Sequence, residues 1–222
     1  MAAPSAHDVI TDAAFTLFAR QGYDATSVED IAGAAGVSRS TFFRSFGSKE
    51  AVIFPNHDEL LVRVESRLQS SHEDSALAAV IDAVKIVLFH YVAEGERARE
   101  RYRLTSAVTT LRERELVSSA RYQRLFRHHL SRWGDGGAAA DLQAEVTAAA
   151  VVAAHNRVLR RWLRGECTDP EREITGALAV VHRTFDPKQS PASPVALVVL
   201  PAGTPLSAAE DAVRHLAWSP PQ

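Results

Sequence analysis

The sequence predicts an all-α protein, and three observations carry that prediction. Apolar residues recur three and four positions apart along most of the chain, the spacing that lines one face of a helix. Ala and Leu, both strong helix formers, are abundant. Gly and Pro number only 11 and 10 among 222 residues, and they cluster at a few points instead of interrupting the periodic stretches.

The elements follow in order. A first helix is expected over about 6–21, because Ile10, Ala13, Ala14, Leu17 and Phe18 make one apolar face and Gly22 stops it. A second, short helix starts at Ser27, which has capping-box spacing to Asp30, and ends before Gly36. A third opens at Ser38 and runs to about Phe46. Gly47-Ser48 breaks the pattern, and Ser48 is placed to cap a long fourth helix over about 49–71. Further helices are expected over about 75–93, 98–106, 111–133, 138–164 and 170–185. The turns between the last three lie at 133–137 and 165–170, with Pro170 suited to a first helical position. Beyond 187 the composition changes, and most of the chain's prolines fall there. Within that tail 195–200 reads as a short strand and 207–218 as a last helix. Three segments are therefore expected: 1–54, 55–186 and a Pro-rich extension, 187–222, of unassigned role.

Composition narrows the function. Apolar residues at 46% and charged residues at 23% exclude global disorder. A net charge of −2 excludes a polycation that coats nucleic acid by bulk charge, though not a local basic patch. The single cysteine, Cys167, excludes an intrachain disulfide and a cysteine-built zinc site. No apolar run approaches membrane-spanning length, and residues 1–7 lack the basic and apolar stretches of a secretory leader. A cytoplasmic protein with no membrane partner is expected. Phosphate-binding glycine loops, G-x-S-x-G and H-E-x-x-H are missing, and the nine histidines are scattered. The reading is a non-enzyme with no cofactor and no metal.

The informative stretch is 22–50. Ala32, Gly36 and the apolar set Ile31, Ala35, Val37 and Phe42 are spaced as in a helix-turn-helix. A small residue sits where two helices approach, a Gly is free to take positive φ in the turn, and apolar groups hold the crossing angle. The second helix of such a pair enters the DNA major groove. From Val37 to Lys49 there are three basic residues and no acidic one. Ser38, Arg39, Ser40, Thr41 and Arg44 all donate hydrogen bonds, and Arg39 suits bidentate pairing with a guanine edge. Thr26 or Ser27, at a helix N-terminus, suits a phosphate, and Lys49 is a second phosphate candidate. Thr26, Ser27, Ser38 and Ser48 also read as plain helix caps, and Arg39 and Arg44 as solvated charges.

The run Gly22-Tyr23, Thr26-Ser-Val28, Ile31-Ala32, Ala35-Gly-Val-Ser38, Phe42 and Ser48-Lys-Glu50 resembles the amino-terminal DNA-binding domain of the TetR family of transcriptional regulators. The likeness covers about residues 8–54. It implies an all-helical homodimer with one helix-turn-helix per subunit, a double-stranded operator as partner, and a carboxy-terminal domain that binds a small effector. Three positions depart from the family's usual pattern. Phe43 stands where a Tyr often touches phosphate, Ser45 where a His is usual, and Gly47 where a Pro is usual. Phe43 remains a candidate for packing against sugar.

For the rest of the chain the resemblance implies a dimer through the helices near 138–164 and 170–185. The small residues Ala144, Ala148, Ala149, Ala150, Ala153 and Ala154 would allow close approach, either between subunits or within one chain. Residues 96–132 hold ten arginines and four glutamates, readable as a solvated face or as anion recognition. His155-Asn156-Arg157 interrupts an apolar helix and marks a cavity wall, with Arg103 among the arginines near its mouth. His90, Tyr91, Tyr102 and Tyr122 are further candidate walls. This pattern is similar to TetR regulators that bind fatty acyl-CoA, and a hydrophobic drug or aromatic metabolite fits the aromatic set equally. The resulting reading is a ligand-responsive regulator, a repressor released from a palindromic operator. Its rivals are a helical enzyme or carrier whose amino-terminal triplet is structural, and a dimeric adaptor that no longer binds DNA.

Overall fold

The computed structural model describes residues 5–71, 76–132 and 136–185. Among them there are nine α-helices and no strand: α1 (Ala6–Gln21), α2 (Val28–Ala34), α3 (Arg39–Phe46), α4 (His57–Gln69), α5 (Ala76–Glu94), α6 (Glu96–Ala107), α7 (Thr109–Arg132), α8 (Ala138–Leu163) and α9 (Pro170–Phe185). The strand expected at 195–200 and the helix expected at 207–218 lie outside the described residues.

The first three helices are built by local signals. Ser5, Ser27 and Ser38 each accept the N–H three residues on, and Ser5 and Ser27 form full capping boxes with Asp8 and Asp30. In the turn after α2, Gly36 takes φ +66°, and the N–H of Val37 reaches back to the carbonyl of Ala32 at 3.0 Å. That six-to-one bond closes the helix end and needs a residue free of the Cβ penalty.

The expected long helix over 49–71 is not one helix. A single 3-10 turn, Glu50–Val52, is followed by a break, and α4 begins only at His57. Pro55 disfavours helical backbone at Phe54, and Asn56 starts a new helix by accepting the N–H of Glu59 at 3.2 Å. The other helices match their expected spans to within one to three residues at each end.

Two apolar clusters hold the molecule. The smaller gathers Ile10, Ala14, Phe15, Phe18, Ile31 and Phe42 from α1–α3 with Val52 and Ile53. Leu111 of α7 is part of it, and Leu104 and Val108 pack on it, so this core reaches into the second half of the chain. The larger cluster lies among α4, α5, α7, α8 and α9. Helix α5 is long and apolar enough to cross a membrane, yet Val80, Ala83, Val84, Val87 and Leu88 are buried at the centre of this bundle.

Candidate nucleic-acid interface and effector cavity

The helix-turn-helix expected over 28–46 forms. Ile31, Ala32 and Phe42 are buried between α1, α2 and α3, which fixes the angle at which α3 stands. With Phe42 inward, helical spacing turns the other side of α3 to solvent. Ser38, Arg39, Ser40, Phe43 and Arg44 are exposed, and Thr41 is half-buried.

The exposed groups are already ordered. The Ser38 hydroxyl is hydrogen-bonded to those of Ser40 and Thr41, at 2.8 and 2.9 Å. Arg39 pairs with Glu29 of α2 at 3.0 Å and lies over the Phe43 ring, 5.4 Å from its centre. Both partners of that ion pair are largely exposed, so the pair is weak and the guanidinium is readily given up to a better acceptor.

Two sequence candidates are placed elsewhere. Thr26 is 1% exposed, and its hydroxyl donates to the carbonyl of Gly22 at 2.7 Å. It holds the α1–α2 turn. Lys49 donates from Nζ to the carbonyls of Tyr23 and Thr26, both at 2.9 Å, and sits 4.1 Å from the centre of the Tyr23 ring. Its charge is spent on the same turn. Ser27 is exposed, but its hydroxyl is engaged with Asp30. A cation at a helix start reads alike in sequence whether it meets phosphate or carbonyl oxygen, and here Lys49 meets carbonyl oxygen.

The larger bundle holds a cavity of about 440 Å³. Of the sequence candidates, Tyr91, Tyr102, Tyr122, His155 and Asn156 line it. His90, Arg103 and Arg157 do not: His90 pairs with Glu94 at 3.4 Å, Arg103 with Glu96 at 2.6 Å, and Arg157 points outward from α8. The sequence reading missed His57, Arg112, Glu115, Arg160 and Arg164, which also line the cavity. The aliphatic part comes from Val84, Val87, Val152, Leu159 and Leu163.

The cavity's polar groups are tuned by burial. His57 bonds Tyr122 through Nδ1 at 3.2 Å. Burial, with Arg101 and Arg121 nearby, brings the His57 pKa down to about 4. Burial does the same for His155. The Tyr122 hydroxyl is raised by burial to about 12, and burial pushes Glu115 up. Both histidines are thus neutral at pH 7.

Comparison with known proteins agrees with this architecture. Residues 10–63 match the family model described as bacterial regulatory proteins, tetR family. A Mycobacterium tuberculosis protein named as a mycofactocin biosynthesis transcriptional regulator, MftR, is 27% identical over 179 residues, 80% of this chain and 89% of that protein. Among solved structures, a SmeT–triclosan complex matches with TM-score 0.59 at 18% identity, covering 89% of this chain and all of that one. Thermus thermophilus FadR, solved with lauroyl-CoA, matches with TM-score 0.50 at 19% identity, covering 90% of this chain and 98% of that one. At such identities these two structures show the fold.

Proposed function

Since the chain is a TetR-family transcriptional regulator, we propose that it is a repressor released from a near-palindromic operator by a hydrophobic effector. The observation that carries the DNA-binding part is the outward face of α3, where Ser38, Arg39, Ser40 and Arg44 stand exposed on a helix braced by Phe42. As a dimer, two such helices enter successive major grooves about 34–36 Å apart. Arg39 leaves Glu29 for a base edge, and Ser38, Thr41 and Phe43 contact the backbone.

Dimerisation through α8 and α9 is supported by their solvent-facing sides. Leu142, Val146 and Val180 are large apolar residues left exposed there, at 62, 46 and 54%. Ala144 and Ala148 are buried inside the chain, whereas Ala149, Ala150 and Ala154 are half-buried and Ala153 is exposed, which leaves small residues on the outer side of α8 for a partner subunit.

The effector reading rests on the cavity. Fatty acyl-CoA is the leading candidate, because Arg112, Arg160 and Arg164 line a cavity with an aliphatic interior. The FadR structure with lauroyl-CoA and the SmeT structure with triclosan favour a hydrophobic ligand of this kind. Residues 1–54 act as the DNA-reading unit, 55–186 as the effector and dimer unit, and the site of action is the cytoplasm. A ligand that prefers the wide-spaced dimer needs a coupling of about 1–3 kcal/mol to weaken operator binding 5–150-fold.

Gel-shift titration on the gene's own upstream DNA tests this reading. Arg39→Ala is expected to weaken binding by about 1–3 kcal/mol and to relax one base preference. Binding as tight as the parent's overturns the assignment.

A further inference from the structure

Three tyrosines line the cavity, and two of them are already engaged. The Tyr122 hydroxyl bonds Nδ1 of His57 at 3.2 Å, and the Tyr102 hydroxyl accepts from Nε of Arg164 at 2.9 Å. The third, Tyr91, is 9% exposed, and its hydroxyl has no hydrogen-bond partner among the described residues. Sealed polar atoms without a partner occur at His57, His155 and four other described residues, and the Tyr91 oxygen is not one of them. That oxygen therefore keeps accessible surface, and the open space that a nine-tenths buried wall residue meets is the cavity. An enclosed O–H without an acceptor is unfavourable, so its partner comes from whatever fills the void.

The hydroxyl is a neutral donor. Burial pushes its pKa up, so it keeps its proton. The Arg101 guanidinium, 5.6 Å from the ring centre, favours giving up that proton and so makes the O–H a better donor. Its place along the cavity follows from α5. Val87 and Val84 precede Tyr91 by four and seven residues, about 6 and 10.5 Å along the helix axis, and line the cavity from the same face. On its other side lies Glu115, close enough to act on the Tyr91 hydroxyl and itself under the influence of Arg160 and Arg112. The order along the wall is arginines, then the Tyr91 hydroxyl, then Val87 and Val84.

We propose that Tyr91 recognises the acyl carbonyl of the effector. The anionic end meets the arginines, the carbonyl oxygen accepts from the Tyr91 hydroxyl, and the apolar chain lies along Val87 and Val84. This rests on the reading of the cavity as an acyl-CoA site and deepens it, because the cavity then selects a thioester over an equally long chain that has no carbonyl.

Isothermal titration with decanoyl-CoA and S-decyl-CoA tests it, since the second probe is a thioether in which a methylene replaces the carbonyl. The parent is expected to bind decanoyl-CoA about tenfold tighter, which is ~1.4 kcal/mol. In Tyr91→Phe decanoyl-CoA falls to the affinity of S-decyl-CoA, which itself stays as in the parent. That variant keeps the ring beside Arg101, and the lost hydroxyl holds nothing in the protein, so its melting temperature should not drop. Equal affinities in the parent overturn the proposal without any variant having to fold. So does a preference that survives in Tyr91→Phe, and so does a lower melting temperature, which assigns the hydroxyl to the fold. Val152→Trp, which fills the cavity, checks the underlying reading. Failure of both probes to bind the parent, or unchanged binding of both to Val152→Trp, refutes the acyl-CoA reading and the proposal with it; equal affinities alone leave that reading standing.

Discussion

The Arg101 guanidinium donates from Nε to the backbone carbonyl of Ile53, so a buried residue of α6 grips the chain between the first three helices and α4. The same side chain pairs with Glu94 and lies 5.6 Å from the centre of the Tyr91 ring, which lines the cavity. Burial alone would raise the Glu94 pKa, but the His90 ring 3.4 Å away and hydrogen bonds from Arg101 bring it down to about 2. His57, the first residue of α4, is a second link, since it lines the cavity three residues after Phe54. On the proposed reading, a ligand that shifts Tyr91 or His57 should pull on the start of α4 and on Ile53 together.

Replacing Arg101 by Met should break that link. Removing one partner of a buried ion pair costs about 3 kcal/mol, read as a lower denaturation midpoint. Adding Glu94→Gln should recover part of it. In both variants an effector that still binds should no longer weaken operator binding. Full retention of effector response would show that Arg101 is not part of the coupling.

Lys49 should matter for stability and little for DNA. Lys49→Ala frees the carbonyls of Tyr23 and Thr26 and should lower the melting temperature. Well below that temperature, the slope of operator affinity against salt should match the parent's, because no phosphate contact is lost. A slope reduced by about one would return Lys49 to the DNA interface.

These two residues mark where the sequence was legible and where it was not. The caps at Ser27 and Ser38, the stop at Gly36 and the burial of Phe42 follow from local spacing, and the first three helices follow with them. The break before α4 lies at Pro55, inside a stretch whose apolar residues keep helical spacing on either side. The cavity was legible only where aromatic or His-Asn side chains stood out. Arg112, Glu115, Arg160 and Arg164 belong to amphipathic helices whose charged faces look alike in sequence, and only packing decides which of those faces borders a void. His57 carried no signal because its role depends on Tyr122, 65 residues away.

Acid should loosen the bundle before it touches the carboxylates. His57 and His155 have folded pKa values of about 4 against an ordinary 6.5. The unfolded chain thus binds protons that the folded chain refuses, and stability falls as pH drops from 6.5 toward 4. Thermal melts across that range should show a falling midpoint, with a shallower fall in His155→Phe. A midpoint flat down to pH 4 would contradict the burial of both rings.

A charge on the exposed side of α8 should split the dimer. Val146→Glu sets a carboxylate on the apolar patch formed with Leu142, while the subunit's own core is untouched. Sedimentation should then show a monomer, and operator affinity should fall because half-sites are bound singly. A dimer of unchanged affinity would place the interface elsewhere.

The central claim is that α3 reads operator DNA, and its most direct measurement is a binding titration against the gene's upstream region over a range of salt. The account predicts a dimer bound to a near-palindromic site, an affinity that falls steeply as salt rises, and a loss of about 1–3 kcal/mol in Arg39→Ala. No binding at low salt, or binding indifferent to Arg39, would contradict it.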